Sequence, residues 1–463
     1  MPRFVPRWRA AARGDAAAPA RGPDRSPVSP RRAAFLLAIV SLLVYNANGR
    51  VIAAGDTLPA RFIPFSILLD RTVAVDRLFR AEYEHLPPQQ RARIWFLRPS
   101  HGHLYSAYPV ALPVLVTPLY APFVWAKGAW TDREIRSVAP EAEKLAASVI
   151  AALSVAVMYL LLAGMTEARI ALALTVAFAF GTTTWTASSQ ALWQHGAGVL
   201  LILLTLAVLA RRPRLLWLAG TFAGLAVAVR PNNLFFWLAL LVVCGRTRPL
   251  RALPLALPGV VIGAAVAAYN LSVFGDLRGG YAGFAGSAGF LGANAWTGLA
   301  GELVSPSRGL FVYSPVLLAG LAGGWIAWRD GRLLRSPVLA IAALFVLSQL
   351  ALVATWGMWW GGWSYGPRML TEAAAALVLL SVPAAERLGS RGWARLGFAA
   401  ALAVSVAVQA IGAFAYDTAG GWNQFPENVD LHPRRLWDWR DSQIRRTAGI
   451  LLQGGSPADA SAP

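Results

Sequence analysis

The chain has a single cysteine, Cys244, and few charges: 14% of its 463 residues are Asp, Glu, Lys or Arg. A lone cysteine has no internal partner, so no disulfide framework organises the fold and the redox compartment is not legible from it. Water-soluble globules carry about a quarter charged residues. With 56% hydrophobic residues and a mean hydropathy of +0.50, the shortage of charge points instead to an integral membrane protein. Acidic residues are the scarcest, 23 against 42 basic ones. The resulting net charge of +19 would suggest nucleic acid in a soluble protein. Here the arginines gather in short breaks between apolar runs, as the positive-inside bias requires, and no nucleic-acid partner is expected. The chain also lacks a phosphate-binding Gly-rich motif, a Gly-x-Ser-x-Gly elbow and a zinc signature, which leaves soluble-nucleotide chemistry without support. No internal repeat is visible.

What is present is a series of apolar runs, beginning near Ala33, Tyr108, Leu145, Ile170, Gly196, Leu215, Leu234, Ala252, Tyr313, Pro337, Met369 and Leu396. Most approach the roughly 20 residues that cross a bilayer. Arginines from Arg3 to Arg32 precede the first run. Later breaks hold Arg211, Arg212 and Arg214, then Arg246, Arg248 and Arg251, then Arg329, Arg332 and Arg335, and finally Arg387, Arg391 and Arg395. If every run spans, all four later clusters fall on the wrong side. The run from Tyr108 to Trp130 is the one to exempt, because Pro109, Pro113, Pro118 and Pro122 each remove a backbone donor. As a re-entrant or interfacial helix it restores the charge rule.

The expected architecture is therefore an all-α polytopic membrane protein with about eleven transmembrane helices, N-terminus in and C-terminus out. Residues 1–32 read as a disordered Arg/Pro-rich cytoplasmic tail and 33–415 as the transmembrane domain. Its outer loops would be 50–143, 271–312 and 356–368, and residues 416–463 would form an outer-face tail, interfacial and then disordered after Gly454.

This topology places most of the polar outliers on one face. Asp56 and Arg61 follow the first run in Gly55-Asp-Thr-Leu-Pro-Ala-Arg61. Gln194 and His195 precede an outer helix start, and Arg230 occupies the turn Val229-Arg-Pro-Asn-Asn233. Arg308 lies in Ser305-Pro-Ser-Arg-Gly-Leu-Phe-Val-Tyr313, and Arg368 ends Trp359-Trp-Gly-Gly-Trp-Ser-Tyr-Gly-Pro-Arg368. Ionisable groups near a membrane are costly and face a cavity or a partner. Arg61, Arg230, Arg308 and Arg368 thus suggest an anionic ligand, and their planar forks suit a phosphate. Tyr108, Gln194, His195, Tyr313, Trp363 and Tyr365 are the candidate substrate-lining side chains.

Each residue also has a plainer reading. Asp56 would serve equally as a cap for a helix starting at Thr57. Arg61 and Arg230 would snorkel to headgroups, and Trp356 to Trp363 would form an interfacial aromatic belt. The belt does not account for the glycines or for Gly366-Pro-Arg368. His101-Gly-His103 is a weak metal signal, so no metal ligand is assigned, although a divalent metal stays open as a cofactor. Asp70, Asp76, Glu82 and Glu84 read as a solvated loop face paired with Arg71, Arg77 and Arg80.

A first helix ending in an acidic residue, a long outer loop carrying Tyr108-Pro109, and the basic-Pro turn Arg230-Pro231 together resemble the GT-C superfamily of integral membrane glycosyltransferases. That superfamily includes the protein O-mannosyltransferases and the lipid A aminoarabinose transferase. The resemblance covers most of residues 33 to 415 in layout. Gly55-Asp-Thr-Leu-Pro-Ala-Arg61, Trp193-Gln-His195 and Trp359-Trp-Gly-Gly-Trp363 look most like bacterial members. It implies transfer of a sugar from a polyprenyl-phosphate carrier to an envelope acceptor at the outer face of the cell membrane, with Asp56 at the catalytic centre. Thr57 stands where many relatives carry a second acidic residue. Inverting transfer needs a base for the acceptor hydroxyl and cations for the departing phosphate, which Asp56 and the arginines supply. The alternatives are a lipid-carrier flippase or transporter, or a non-catalytic subunit that binds lipid-linked sugar. Against a flippase stand the missing repeat and the one-sided polar set.

Overall fold

The computed structural model describes residues 29–91, 93–246, 249–284, 294–388, 392–418 and 420–452. Of the tails read as disordered, 1–32 and the residues after Gly454, residues 1–28 and all of the latter lie outside the described residues, as does part of the loop 271–312. Helix accounts for 74% of the structure. The sheet among the described residues is one antiparallel hairpin, β1 (Leu97–Ser100) with β2 (His103–Ser106), in which Leu97 pairs with Ser106. The described residues are thus all-α apart from that hairpin.

The principal helices are α1 (Pro30–Asn46), α2 (Leu58–Phe65), α3 (Asp76–His85), α4 (Ala111–Lys127), α5 (Asp132–Ala163), α6 (Ala168–Phe180), α7 (Gln194–Arg211), α8 (Leu216–Val229), α9 (Leu234–Gly245) and α10 (Leu253–Phe274). Then follow α11 (Ala295–Val304), α12 (Leu318–Arg329), α13 (Pro337–Ala354), α14 (Thr371–Leu380), α15 (Val382–Leu388), α16 (Gly392–Ala415) and α17 (Gln443–Leu452). Among the described residues, six helical segments are long and apolar enough to cross a membrane: α5, α7, α10, α13, Arg368–Arg387 and α16. Shorter apolar helices accompany them, including α4, α6 and α8. With so few charges, this is an all-α membrane protein.

Several boundaries differ from the sequence reading for local reasons. The first helix starts at Pro30, not Ala33, because the Ser29 hydroxyl accepts from the Arg32 N–H and proline suits the first turn. The Pro-rich run is one continuous helix, α4, with Pro118 and Pro122 inside it. It buries Leu112, Val116, Tyr120 and Val124 against its neighbours and exposes Val114, Leu115, Leu119 and Trp125. The run from Tyr313 is interrupted at Ser314-Pro315, leaving α12 only 12 residues long. α5 opens with a full capping box between Thr131 and Glu134 and runs for 32 residues.

α14 is the centre of the bundle. Every residue from Thr371 to Leu380 is buried, as expected of a helix apolar on all sides, and α12, α13 and α7 pack against it. At the opposite extreme, 83% of the Arg368–Arg387 apolar stretch is enclosed but only 6% of α10, whose open faces suit lipid. α10 holds on by a close crossing with α8. A Cβ on Gly224 would sit 2.7 Å from the Gly259 Cα, and one on Gly220 2.6 Å from the Leu255 carbonyl. Small residues let these backbones touch, which is the main source of helix affinity in lipid. Gly224→Leu is therefore expected to separate α8 from α10 and sharply reduce the yield of monodisperse protein, read by size-exclusion chromatography in detergent. Gly263→Leu, where a Cβ meets nothing within 4 Å, should not.

Candidate active site

The loop 51–57 brings Asp56 to the end of the turn preceding α14. Asp56 Oδ2 accepts from Arg368 Nη1 at 2.7 Å, with the carboxylate 20% exposed and the guanidinium 9%. Capping is not its role: α2 begins at Leu58 after Thr57, with no side-chain cap bond. Two further Arg368 donors go to the Gly361 carbonyl, Nε at 3.2 Å and Nη2 at 2.6 Å. Its guanidinium lies over the Trp193 ring, 4.3 Å from the centroid. The glycines of the Trp-rich segment now have a reason. Gly361, Gly362 and Gly366 all take positive φ, between 67° and 71°, and so fold the loop back to present that carbonyl.

Behind this pair lies a second, fully buried group. Glu372 Oε2 accepts from Arg230 Nη1 at 2.8 Å and lies 3.0 Å from His195 Nδ1. Arg230 is held at the end of α8 and His195 in the first turn of α7, so one carboxylate on the central helix ties two other helices to it. Gly198 permits the approach, since a Cβ there would stand 3.0 Å from Glu372 Oε1.

A third carboxylate, Glu143, is buried beneath the 51–57 loop. It accepts from Arg61 Nε at 2.6 Å and from the Leu192 backbone N–H at 3.0 Å, and lies beside the Thr57 hydroxyl, which donates to the Ala54 carbonyl at 3.2 Å. The position next to Asp56 that lacks a carboxylate in sequence thus contacts one supplied by α5. Neither Arg61 nor Arg230 snorkels; each is neutralised inside the protein.

Aromatic and amide groups stand within electrostatic reach of the pair. The Tyr281 hydroxyl donates to Gln194 Oε1 at 3.2 Å, and the Tyr108 ring stands edge-on to Tyr281 at 5.7 Å. Burial pushes the Tyr281 hydroxyl up to about 12, and the Gln194 bond and the charges of Arg230 and Arg368 pull against that while Asp56 adds to it. Burial likewise holds Tyr108 well above its ordinary value, reinforced by Asp56. Both tyrosines therefore stay protonated donors within the field of Asp56, Arg230 and Arg368.

The structure separates the remaining sequence candidates from this group. Arg308 is fully buried and spends all five of its N–H groups inside the protein: on the carbonyls of Trp360, Ser307 and Gly362 and on the side chains of Gln443 and Asn423, at 2.7 to 3.1 Å. As placed, it has no donor left for a phosphate. Tyr313 donates to Gln443 Oε1 at 2.9 Å and its ring packs on Tyr365, whose hydroxyl goes to the Val408 carbonyl. Both are core residues. Trp363 lies against the tail near Gly420. These four belong to the socket that seats the tail, in which Trp422 and Gln443 are buried. The tail residues 420–452 fold onto the bundle, with Trp422 buried, Trp437 half-exposed and Trp439 largely open. Trp359 and Trp360 are buried too, so they are not a lipid-facing belt.

Glu372, Glu143 and Tyr281 were not singled out from the sequence. Glu372 carried a usable signal, being an acidic residue directly ahead of the unbroken apolar stretch from Ala373 to Leu380. Glu143 and Tyr281 had none, because loop residues and helix starts are normally polar. Elsewhere the loop charges pair much as expected: Arg77 with Asp70 and Asp132, and Arg80 with Asp76 and Glu84. Glu82 pairs instead with Arg136, and His103 with Asp76. Among the described residues no group of three or more His, Cys, Asp or Glu side chains comes together.

Two variants separate the structural from the ligand-facing arginines. Arg308→Ala leaves several buried acceptors unpaired, each costing about 1–3 kcal/mol. It should lower the melting temperature and open residues 420–452 to limited proteolysis, and unaltered protection of the tail would show that Arg308 is not its anchor. Glu372→Gln strands the buried Arg230 charge, and loss of about 3–5 kcal/mol is expected by analogy with broken buried pairs, read as a thermal shift in detergent. The chain matches no protein-family model and no curated protein closely enough to assign it a family.

Proposed function

We propose that this chain is a glycosyltransferase of the GT-C type. It takes a sugar from a polyprenyl-phosphate carrier and passes it, with inversion, to an envelope acceptor at the outer face of the cell membrane. The observation that carries this reading is the Asp56–Arg368 pair, a partly exposed carboxylate against a guanidinium, with Tyr108, Tyr281, Gln194 and Arg230 gathered around it. A base and a phosphate-binding cation in direct contact are the two groups that transfer from a sugar phosphate requires.

In the proposed reaction the carrier phosphate takes over the Arg368 N–H that now binds Asp56. That exchange frees the Asp56 carboxylate to accept the proton of the acceptor hydroxyl. The hydroxyl oxygen forms its bond to the anomeric carbon as the bond from that carbon to the phosphate oxygen breaks. The leaving phosphate keeps the electron pair and is neutralised by Arg368, while Arg230 stays paired with Glu372 behind it. Tyr108, protonated, offers a donor to sugar or phosphate oxygens, and Tyr281 holds Gln194 beside it. Arg61 acts by holding Glu143 and the loop rather than by touching the donor.

The same reading retains about eleven transmembrane helices with the N-terminus in and the C-terminus out, which sets all four later arginine clusters on the cytoplasmic side. α4 then lies within the outer half of the fold, beside α2 and the Asp56 loop.

Asp56→Asn should reduce sugar transfer by about 10²–10⁴-fold, the usual contribution of a general base, while the melting temperature stays near that of the wild type. Arg368→Lys keeps the charge but loses the fork. It is expected to raise the carrier concentration needed for half-maximal rate more than it lowers kcat. The assay uses protein in nanodiscs with radiolabelled polyprenyl-phosphate sugar, and wild-type turnover by Asp56→Asn would reject the assignment. Movement of carrier between leaflets without transfer would indicate a flippase, and binding alone a carrier-binding subunit.

A further inference from the structure

One acidic group stands outside the three pairs described above. Glu302, near the end of α11, is 2% exposed, and neither of its carboxylate oxygens has a hydrogen-bond partner within the protein. It lines a small cavity together with Arg308, Trp359, Trp360, Pro367 and Met369. The space has room for about one water-sized group. Burial alone pushes the Glu302 carboxyl up to about 9, so at neutral pH it is an uncharged acid with one donor and a free acceptor.

A buried polar group without a partner is costly, and a leucine here would avoid the cost. The neighbours of the cavity say what would satisfy it. Its aromatic wall is fixed: Trp359 packs over Gly301, where a Cβ would come within 2.2 Å of the ring, and Trp360 donates its indole N–H to Asp430 at 2.7 Å. A neutral carboxyl exchanges hydrogen bonds with a hydroxyl. A cationic ligand is disfavoured, because the Arg308 guanidinium already forms part of the wall. Pro367 and Met369 flank Arg368 in the chain, and the Arg368 side chain turns to Asp56. The cavity and the Asp56 site therefore share a single turn.

We propose that Glu302, with Trp359 and Trp360, forms a specificity subsite that takes one hydroxyl-bearing arm of the transferred sugar. This rests on the sugar-transfer reading above and deepens it. The space fits one hydroxyl and not a ring, so the subsite selects among sugars by whether a hydroxyl is offered at the right place. A site built to bond a hydroxyl discriminates strongly against analogues lacking it, by up to about 10⁴-fold or more. Glu302 is a specificity-determining residue and takes no part in the proton transfer at Asp56.

The test uses the full chain in nanodiscs, with Glu302→Gln and Glu302→Leu beside the wild type. The probes are bare polyprenyl phosphate and a panel of polyprenyl-phosphate hexoses and pentoses. Infrared difference spectra should show a protonated-carboxyl carbonyl band that is absent from Glu302→Gln. That band should shift with at least one sugar-loaded carrier and not with the bare carrier. In transfer assays Glu302→Leu should flatten the ratio of rates between the best and worst sugars by tenfold or more, whereas Glu302→Gln, which keeps a donor and an acceptor, should restore part of it. If loaded and bare carrier both bind and the band is unmoved, Glu302 serves at most an ordered water and the subsite is rejected, while the carrier reading stands. If no carrier binds at all, the sugar-transfer reading fails and the subsite falls with it. Unchanged sugar selectivity in a folded Glu302→Leu protein also overturns the proposal.

Discussion

The structure depends on neutralising a few charges inside an apolar bundle, and the group formed by Glu372, Arg230 and His195 is the clearest instance. A carboxylate on the fully buried helix α14 would be untenable alone. Paired with Arg230 and His195 it ties α14 to the end of α8 and the start of α7. These contacts fix the base of the candidate site, because Arg368 is one turn before Glu372 on the same chain segment. The pair on the outside, Asp56 with Arg368, can then be looser and partly wet, as a site that must exchange partners requires.

The tail is held by a different device. Arg308 meets no carboxylate; its charge is dispersed over carbonyl and amide oxygens drawn from the 361–362 turn, from Asn423 and from Gln443. Gln443 Oε1 in turn accepts from Tyr313 and from the Gly366 N–H. One residue of the last helix therefore touches the turn that carries Arg368. The tail is thereby mechanically continuous with the site, and its seating and the shape of the 361–368 turn are set by the same hydrogen bonds.

Asp56, Arg61, Gln194, His195, Arg230 and Arg368 were legible as one group because charge parity put them on one face and buried charge is rarely idle. Arg308, Tyr313, Trp363 and Tyr365 met the same criteria and serve the tail socket instead. The difference is invisible in sequence: Arg308 and Arg368 both sit in glycine-containing turns, and only packing shows which has exhausted its donors. Glu143 and Glu302 illustrate the converse. In sequence Glu143 stands at the polar edge of an apolar run and Glu302 near a helix end, where acidic residues are ordinary, and their burial follows from which helices happen to cross there.

Composition and the spacing of apolar runs by themselves determined that this is an all-α membrane protein with its breaks marked by arginine, because the cost of unsatisfied backbone and exposed charge in lipid leaves few alternatives. Tertiary structure alone decided which carboxylate meets which arginine. Asp56 and Arg368 are 312 residues apart, and a pairing over that separation is fixed by the crossing of helices and by glycine-dependent turns, which no local pattern encodes.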